Sequence, residues 1–160
     1  MAFNPSWPKW IQASIAKHFK AAANAHNYVS LVEELEERTT EFMESPQRIE
    51  IRMNGPFVRN ASANYYLMDL DVNILIFSHM DDTDDNVYDG IDIAGVMAEA
   101  ASQSIPVYQL GNLVGDDGSQ IACLSMTRDG VKVFHFGEIT RQDRLRQFSV
   151  DAGYKLEIFL

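Results

Sequence analysis

The sequence has little of what disulfide-rich domains, zinc-thiolate proteins and nucleic-acid binders depend on. Cys123 is the only cysteine, so no intramolecular disulfide can form and no cysteine-based zinc site is available. Basic residues are also few, since 13 lysines and arginines stand against 23 acidic residues and give a net charge of −10. This balance argues against duplex nucleic acid or an anionic membrane as a direct partner, because phosphate binding requires clustered cations.

Long apolar runs are absent as well. None reaches the roughly 18–20 residues that a membrane span requires. The first ten residues, MAFNPSWPKW, lack the basic start and the apolar stretch of a signal peptide. We therefore expect a protein that is soluble where it is made, in the cytoplasm. Hydrophobic residues make up 46% of the chain, enough for a packed interior, and the length fits a single domain over residues 1–160.

Alternation of apolar and polar residues is the strongest pattern that is present. Over residues 65–77 the even-numbered positions from Tyr66 onward are apolar, while Asp69, Asp71 and Asn73 occupy the other side. A period of two with one polar side is typical of a strand that packs on a core through one face. Residues 48–53 and 148–160 alternate in the same way. The stretches 65–77 and 148–160 are much longer than the usual strand of about 5–6 residues.

Helices are predicted at two places. Ser6 as N-cap and Pro8 in the first turn predict a helix from Trp7 to about residue 25, within an N-terminal helical region over residues 1–46. Apolar spacing predicts a second helix over residues 91–104, after a polar connection over residues 78–90. The sequence also predicts a long loop over residues 59–64, an edge strand over 105–108 and a hairpin that turns at Asp129-Gly130. Together these elements predict an α+β fold. Its sheet is mostly antiparallel, with long two-faced strands and the helices on one face.

Residues for catalysis form no specific pattern. Clustered carboxylates between residues 81 and 92 suggest a hard cation, but their spacing fails the EF-hand pattern; they are Asp81, Asp82, Asp84, Asp85, Asp89 and Asp92. No two histidines have the spacing of a helical metal site, no phosphate loop or nucleophile elbow is present, and Cys123 is expected to be buried and inert. We therefore expect no enzyme activity, no metal and no cofactor.

Two further groups of residues are candidates for contact with partners. Trp7 and Trp10 at the chain start, and Phe159 on the polar side of its strand, either cap the core or anchor a subunit interface. Asp69 and Asp71 share one side of their strand, where paired carboxylates either perform acid–base chemistry or are merely solvated.

Four stretches together resemble the neck and tail-completion proteins of tailed bacteriophages, and tail terminators in particular: RIEIRMNGP from Arg48, DLDVNILI from Asp69, VKVFHFG from Val131 and YKL from Tyr154. The order of an N-terminal helix, a glycine-broken strand pair, a helix after the long strand and a long last strand is similar too. The region before Pro46 departs from the compact terminators.

The resemblance implies a structural virion protein without an active site. Such proteins form a ring, commonly of six copies, that joins the tail tube to the head-side neck proteins while DNA passes through its centre. In such a ring Asp69, Asp71 and Asn73 become candidates for a channel-lining or intersubunit surface. Three alternatives remain open: a connector or stopper ring of the neck, a small metal-dependent hydrolase that uses the aspartate-rich segment, and a binding module for a small ligand or peptide.

Overall fold

The computed structural model describes residues 4–26, 48–79, 85–110, 118–140 and 145–159. The elements in chain order are helix α1 (Trp7–Ala25), strands β1 (Arg48–Ser62) and β2 (Tyr65–His79), helix α2 (Asp85–Ser102), and strands β3 (Ile105–Tyr108), β4 (Gln120–Thr140) and β5 (Leu145–Phe159). The predicted α+β class is therefore confirmed. The rest of the predicted helical region before residue 47, and the aspartates at 81, 82 and 84, lie outside the described residues.

The strands form one antiparallel sheet in the order β1-β2-β5-β4-β3. The two central strands, β2 and β5, pair residue for residue from Tyr65 opposite Phe159 to His79 opposite Leu145. In both strands the even-numbered side chains point to one face, as the alternation predicted. We call this face the even face and the opposite one the odd face.

Both helices belong to the core on the even face. Helix α1 buries Ile11, Ile15 and Phe19 completely, because their spacing of four residues aligns them in one stripe. Helix α2 lies close to the sheet at Gly90, where an added Cβ would lie 2.7 Å from the Phe148 ring. A side chain at this position would force the helix away from the sheet.

The last turn of α2 is held by two side chains from other elements. The Tyr154 hydroxyl donates a hydrogen bond of 2.6 Å to the carbonyl oxygen of Ala101. His18 Nε2 of α1 donates to the carbonyl oxygen of Ala100 at 2.9 Å. The Ala100 oxygen also accepts from the backbone N–H of Gln103 at 3.2 Å. The two side-chain bonds add donors at the end of the helix, where carbonyls lack partners in a further turn, and they join α1, α2 and β5.

The hairpin predicted at Asp129-Gly130 is wrong. Strand β4 is continuous, and its residues up to Met126 and from Val131 onward both pair with β5, on either side of Gly153. Residues 127–130 form a bulge in which Gly130 adopts a φ of 69°. An Asp-Gly pair supplies this left-handed conformation to a tight turn or to a bulge alike, and the partner strand decides which of them forms.

The long loop predicted over residues 59–64 is also wrong. Strand β1 continues through a bulge between Asn54 and Phe57, where Gly55 has a φ of 111°, and ends only at Ser62. Its outer half is exposed on both faces, so its polar residues reflect exposure to solvent and not a loop.

Helix α2 begins at Asp85, six residues before the predicted start at Ile91.

The structure places Trp7 and Trp10 in the core, which favours the first of the two alternatives, a cap on the core, over an interface anchor. Their exposed fractions are 8% and 3%, and the two rings meet edge to face at 5.7 Å. They pack with the apolar stripe of α1, which leaves little of either ring for a partner. Ser6 does precede the helix, but its hydroxyl makes no capping hydrogen bond.

Candidate functional site

The three polar residues predicted as a surface lie together on the odd face of β2, but they have different surroundings. Asp69 forms an ion pair with Arg59 of β1, and Lys155 of β5 stands opposite it in the sheet. Much of its negative charge is therefore compensated within the chain. Asp71, one position further along this face, is exposed and forms no ion pair with the described residues.

Asn73 belongs to a hydrogen-bond network that crosses from β2 to β5. Its amide nitrogen donates to Ser149 Oγ at 2.9 Å and to Asp151 Oδ1. The Ser149 hydroxyl donates to the same Asp151 oxygen at 2.6 Å. Because its donors are used between neighbouring strands, Asn73 contributes first to the sheet and has less capacity for a ligand.

Asp71 lies beside the bulge of β4. A Cβ added at Gly153 would lie 2.8 Å from Thr127 Oγ1 and 3.3 Å from Asp71 Oδ1. The missing side chain at Gly153 therefore leaves a space beside β5 that Thr127 borders on one side and Asp71 on the other. Because a hairpin was predicted at Asp129-Gly130, sequence analysis did not place this part of β4 beside Asp71.

A cleft of about 510 Å³ surrounds Asp71 on the odd face. Strands β1, β2, β4 and β5 all contribute, and its ionisable side chains are those of Arg52, Asp71, Asp129, Lys132 and Asp151. With two cations and three carboxylates the lining carries a net charge of −1. The alternation of β1 and β5 already placed Arg52 and Asp151 on a polar side, but only the pairing of the strands shows that they share one cleft.

The other end of the odd face is buried and holds one charged cluster. Glu50 has a side chain only 1% exposed and accepts hydrogen bonds of 2.8 Å from both Arg48 Nε and Arg52 Nη2. Burial raises the pKa of the Glu50 carboxyl, but the two arginines outweigh it and hold the pKa below its ordinary value of 4.5. Arg48 also stacks over the Phe77 ring at 4.0 Å.

Large apolar side chains are exposed on strands at the margins of the sheet. Phe57 and Val58 of β1 are 55% and 42% exposed, and Val133 of β4 is 52% exposed. Phe134 and Phe136 extend the same part of β4 and stack on each other at 6.2 Å. Scattered apolar residues are ordinary on a protein surface, whereas a run of them along a strand edge is a candidate surface for contact with another chain.

Phe159 remains a candidate anchor. It is 75% exposed, the most exposed of the large apolar residues in the described chain. Its ring stacks on Tyr65 of the neighbouring strand at 4.9 Å, which fixes its position without burying it. An aromatic ring held in place but uncovered loses little conformational entropy when a partner binds.

Residues for catalysis or metal binding do not converge in the part of the chain that the structure describes. No group of three or more His, Cys, Asp or Glu residues there could hold a metal ion. Cys123 is exposed, which corrects its expected burial, because it lies on β4 opposite Pro106 of the edge strand β3. His135 stacks on Phe148 at 4.6 Å, as befits a histidine that packs within a sheet. Among these described residues no helix is apolar and long enough to cross a membrane.

Comparison with known proteins adds no assignment. No protein-family model matches this chain, and a search of curated proteins returned no significant match.

Proposed function

We propose that this chain is a structural virion protein of a tailed phage, a tail-terminator-like subunit. Its copies assemble into a ring, with six favoured, that joins the tail tube to the neck. The proposal combines the resemblance of the four sequence stretches with the exposed apolar margins of the sheet. The described residues form no catalytic cluster, so the proposal is based on these exposed margins of the sheet.

The exposed strand margins are the observation that supports assembly best. Strand β1 is buried over Ile49, Glu50 and Ile51, but from Phe57 to Ser62 it is exposed. A single chain gains nothing from holding Phe57, Val58 and Phe134 in water. In a ring the neighbouring copies cover such surfaces, and the backbone groups of free strand edges find partners.

Particle mass and shape test the proposal directly. Light scattering of the purified chain should give a mass corresponding to six copies of 18.1 kDa, and negative-stain images should show rings, including rings on the ends of tail tubes. A protein that stays monomeric at high concentration and never decorates tube ends would overturn the proposal.

The odd face provides the second part of the proposed function. In a ring that places this face towards the channel, the exposed carboxylate of Asp71 repels DNA phosphates, so that the duplex passes without adhering. Asp69 contributes less, since Arg59 and Lys155 compensate its charge.

A charge reversal at Asp71 tests this role. We expect Asp71→Lys, and more strongly Asp69→Lys with Asp71→Lys, to reduce DNA passage or infectivity by at least about tenfold while rings still form. The matched control is Asp92→Lys, the same change of charge at an exposed position of α2. Wild-type infectivity of the double variant would refute a channel-lining role for the odd face.

A further inference from the structure

The sheet has two free edges with apolar side chains. Among the described residues, β1 pairs only with β2, so its outer edge has no partner strand. Of the described strands, β3 covers β4 only from Gln120 to Leu124, and none of them pairs with the outer edge of β4 from Val131 onward. On each free edge, one uninterrupted segment carries exposed apolar side chains: residues 57–60 between the bulges of β1, and residues 131–135 between the bulges of β4.

We propose that one copy joins the next by pairing residues 57–60 of β1 with residues 131–135 of β4 in its neighbour. The sheet then continues from copy to copy. This inference rests on the ring assembly proposed above and names the surfaces that form it.

Strand direction fits this contact. In the order β1, β2, β5, β4 each strand runs antiparallel to the one before it, so β4 runs opposite to β1. A neighbour that repeats the same order presents its β1 antiparallel to β4. The new pair therefore has the same geometry as every other pair in the sheet.

The side chains on the two edges match face by face. Val58 pairs with Met68 and Val133 pairs with Val150, which places both valines on the even face. Phe57 and Phe134 are both on the odd face, since they stand opposite Asp69 and Ser149. A continuous sheet thus brings valine beside valine on one face and phenylalanine beside phenylalanine on the other. Cross-strand pairs of this kind stabilise a sheet by roughly 0.2–1 kcal/mol each.

Charge favours the contact between unlike edges over the contact between two β1 strands. Strand β1 carries three arginines and one glutamate, a net charge of +2. Strand β4 carries two basic and two acidic residues, a net charge of zero. Pairing β1 with β1 would bring a charge of +4 to one seam, with Arg52 and Arg59 of both copies along it, whereas pairing β1 with β4 brings +2. In the latter contact Arg59 comes beside Lys132, but Asp69 pairs with Arg59 and Asp151 stands opposite Lys132 within each copy.

The offset between the two edges is compatible with a closed ring. Val58 pairs with Met68, which pairs with Leu156 of β5, whereas Val133 pairs with Val150 of β5. The two valines are therefore offset by six residues of β5, or about 20 Å along the strands. Four strands span about 19 Å across the sheet. Repeating the contact therefore tilts the strands by about 45° to the ring axis, close to the range in closed sheets.

Cysteine cross-linking tests the contact. In a Cys123→Ser background, Val58→Cys and Val133→Cys are placed on separate copies with tags of different length, co-expressed and treated with a short bismaleimide. We expect the mixed product to exceed either self-linked product at least fivefold. A single chain with both cysteines should give a ladder that extends to six copies. Ile91→Cys, 49% exposed on α2, replaces Val133→Cys as the control and should give no mixed product.

The outcomes separate this inference from the proposed function. Self-linking of Val58→Cys as strong as the mixed product would overturn the contact in favour of two β1 strands. Rings in negative-stain images without any mixed product would also overturn the contact and leave the ring proposal intact. A monomer without cross-links would overturn both.

Discussion

The central strands and the flanking strands of the sheet differ in regularity and in what they expose. Strands β2 and β5 pair without interruption and bury apolar residues such as Ile74, Ile76 and Val150 almost completely. Strands β1 and β4 each contain bulges and expose apolar residues at their outer segments. Regular pairing thus serves the fold of one chain, and the irregular margins are the part available for contact with others.

Truncating a central residue should give the largest effect. We expect Ile74→Ala to lower the free energy of unfolding by about 4 kcal/mol, because Ile74 is 1% exposed and its removal leaves a cavity. Urea denaturation measures this change. Val133→Ala on β4 should change the stability of the monomer by less than about 0.5 kcal/mol. If both variants lost the same free energy of unfolding, the central and marginal strands would not differ in their contribution to stability.

Glu50 is the exception within β1, a buried charge on a flanking strand. We expect Glu50→Ala to cost about 3 kcal/mol, because Arg48, whose side chain is only 13% exposed, loses its carboxylate partner. Glu157→Ala is the matched control. Glu157 is 46% exposed and lies 3.9 Å from Lys155, so its removal should cost less than about 0.5 kcal/mol.

The Glu50 cluster also predicts a dependence on pH. The pKa of Glu50 is lower in the folded chain than its ordinary 4.5, so its stabilisation is fully present above pH 4.5. This stabilisation is lost as the pH falls through the folded pKa. Thermal melting between about pH 7 and pH 3 should therefore decline less steeply for Glu50→Ala than for the natural chain. Parallel declines would show that Glu50 is not held ionised by its arginines.

A smaller effect is expected where the bulge of β4 crosses the regular β5. We expect Gly153→Ala to cost about 2 kcal/mol, because the new methyl group meets Thr127 Oγ1 at 2.8 Å and a β-branched side chain has little freedom to move away. Adding Thr127→Ala should restore most of the loss in a chemical denaturation series. If Gly153→Ala alone caused no loss of stability, the bulge would not be packed on β5.

Gly95 provides the control for this substitution. It lies in α2, where a Cβ added to it would meet no atom within 4 Å, so Gly95→Ala should raise stability by up to about 1 kcal/mol.

Sequence analysis predicted the features of this fold that depend on local pattern. The alternation over 65–77 indicated which side chains of β2 face the core, since each residue's face follows from its own parity. The spacing of Ile11, Ile15 and Phe19 indicated α1 in the same way. Asp69, Asp71 and Asn73 were correctly placed on one face for this reason.

Features that depend on a distant partner were not predictable. The Asp129-Gly130 pair has the same local preference in a turn and in a bulge, and only the continuous partner β5 selects the bulge. The sequence leaves Trp7 open between the core and an interface, because the residues that cover it come from other elements. The cleft around Asp71 requires four strands to be placed side by side, and no local pattern contains that information.

The position of β5 in the sheet also determines the order in which the chain can fold. It occupies the centre, yet it joins β2 across separations from 66 residues, at His79 and Leu145, to 94 residues, at Tyr65 and Phe159. The β1–β2 hairpin can form early, but its apolar face stays uncovered on one flank until β5 inserts beside it. Such non-local pairing slows folding. During synthesis the chain therefore exposes a long hydrophobic strand edge, and this interval is its period of greatest risk of aggregation.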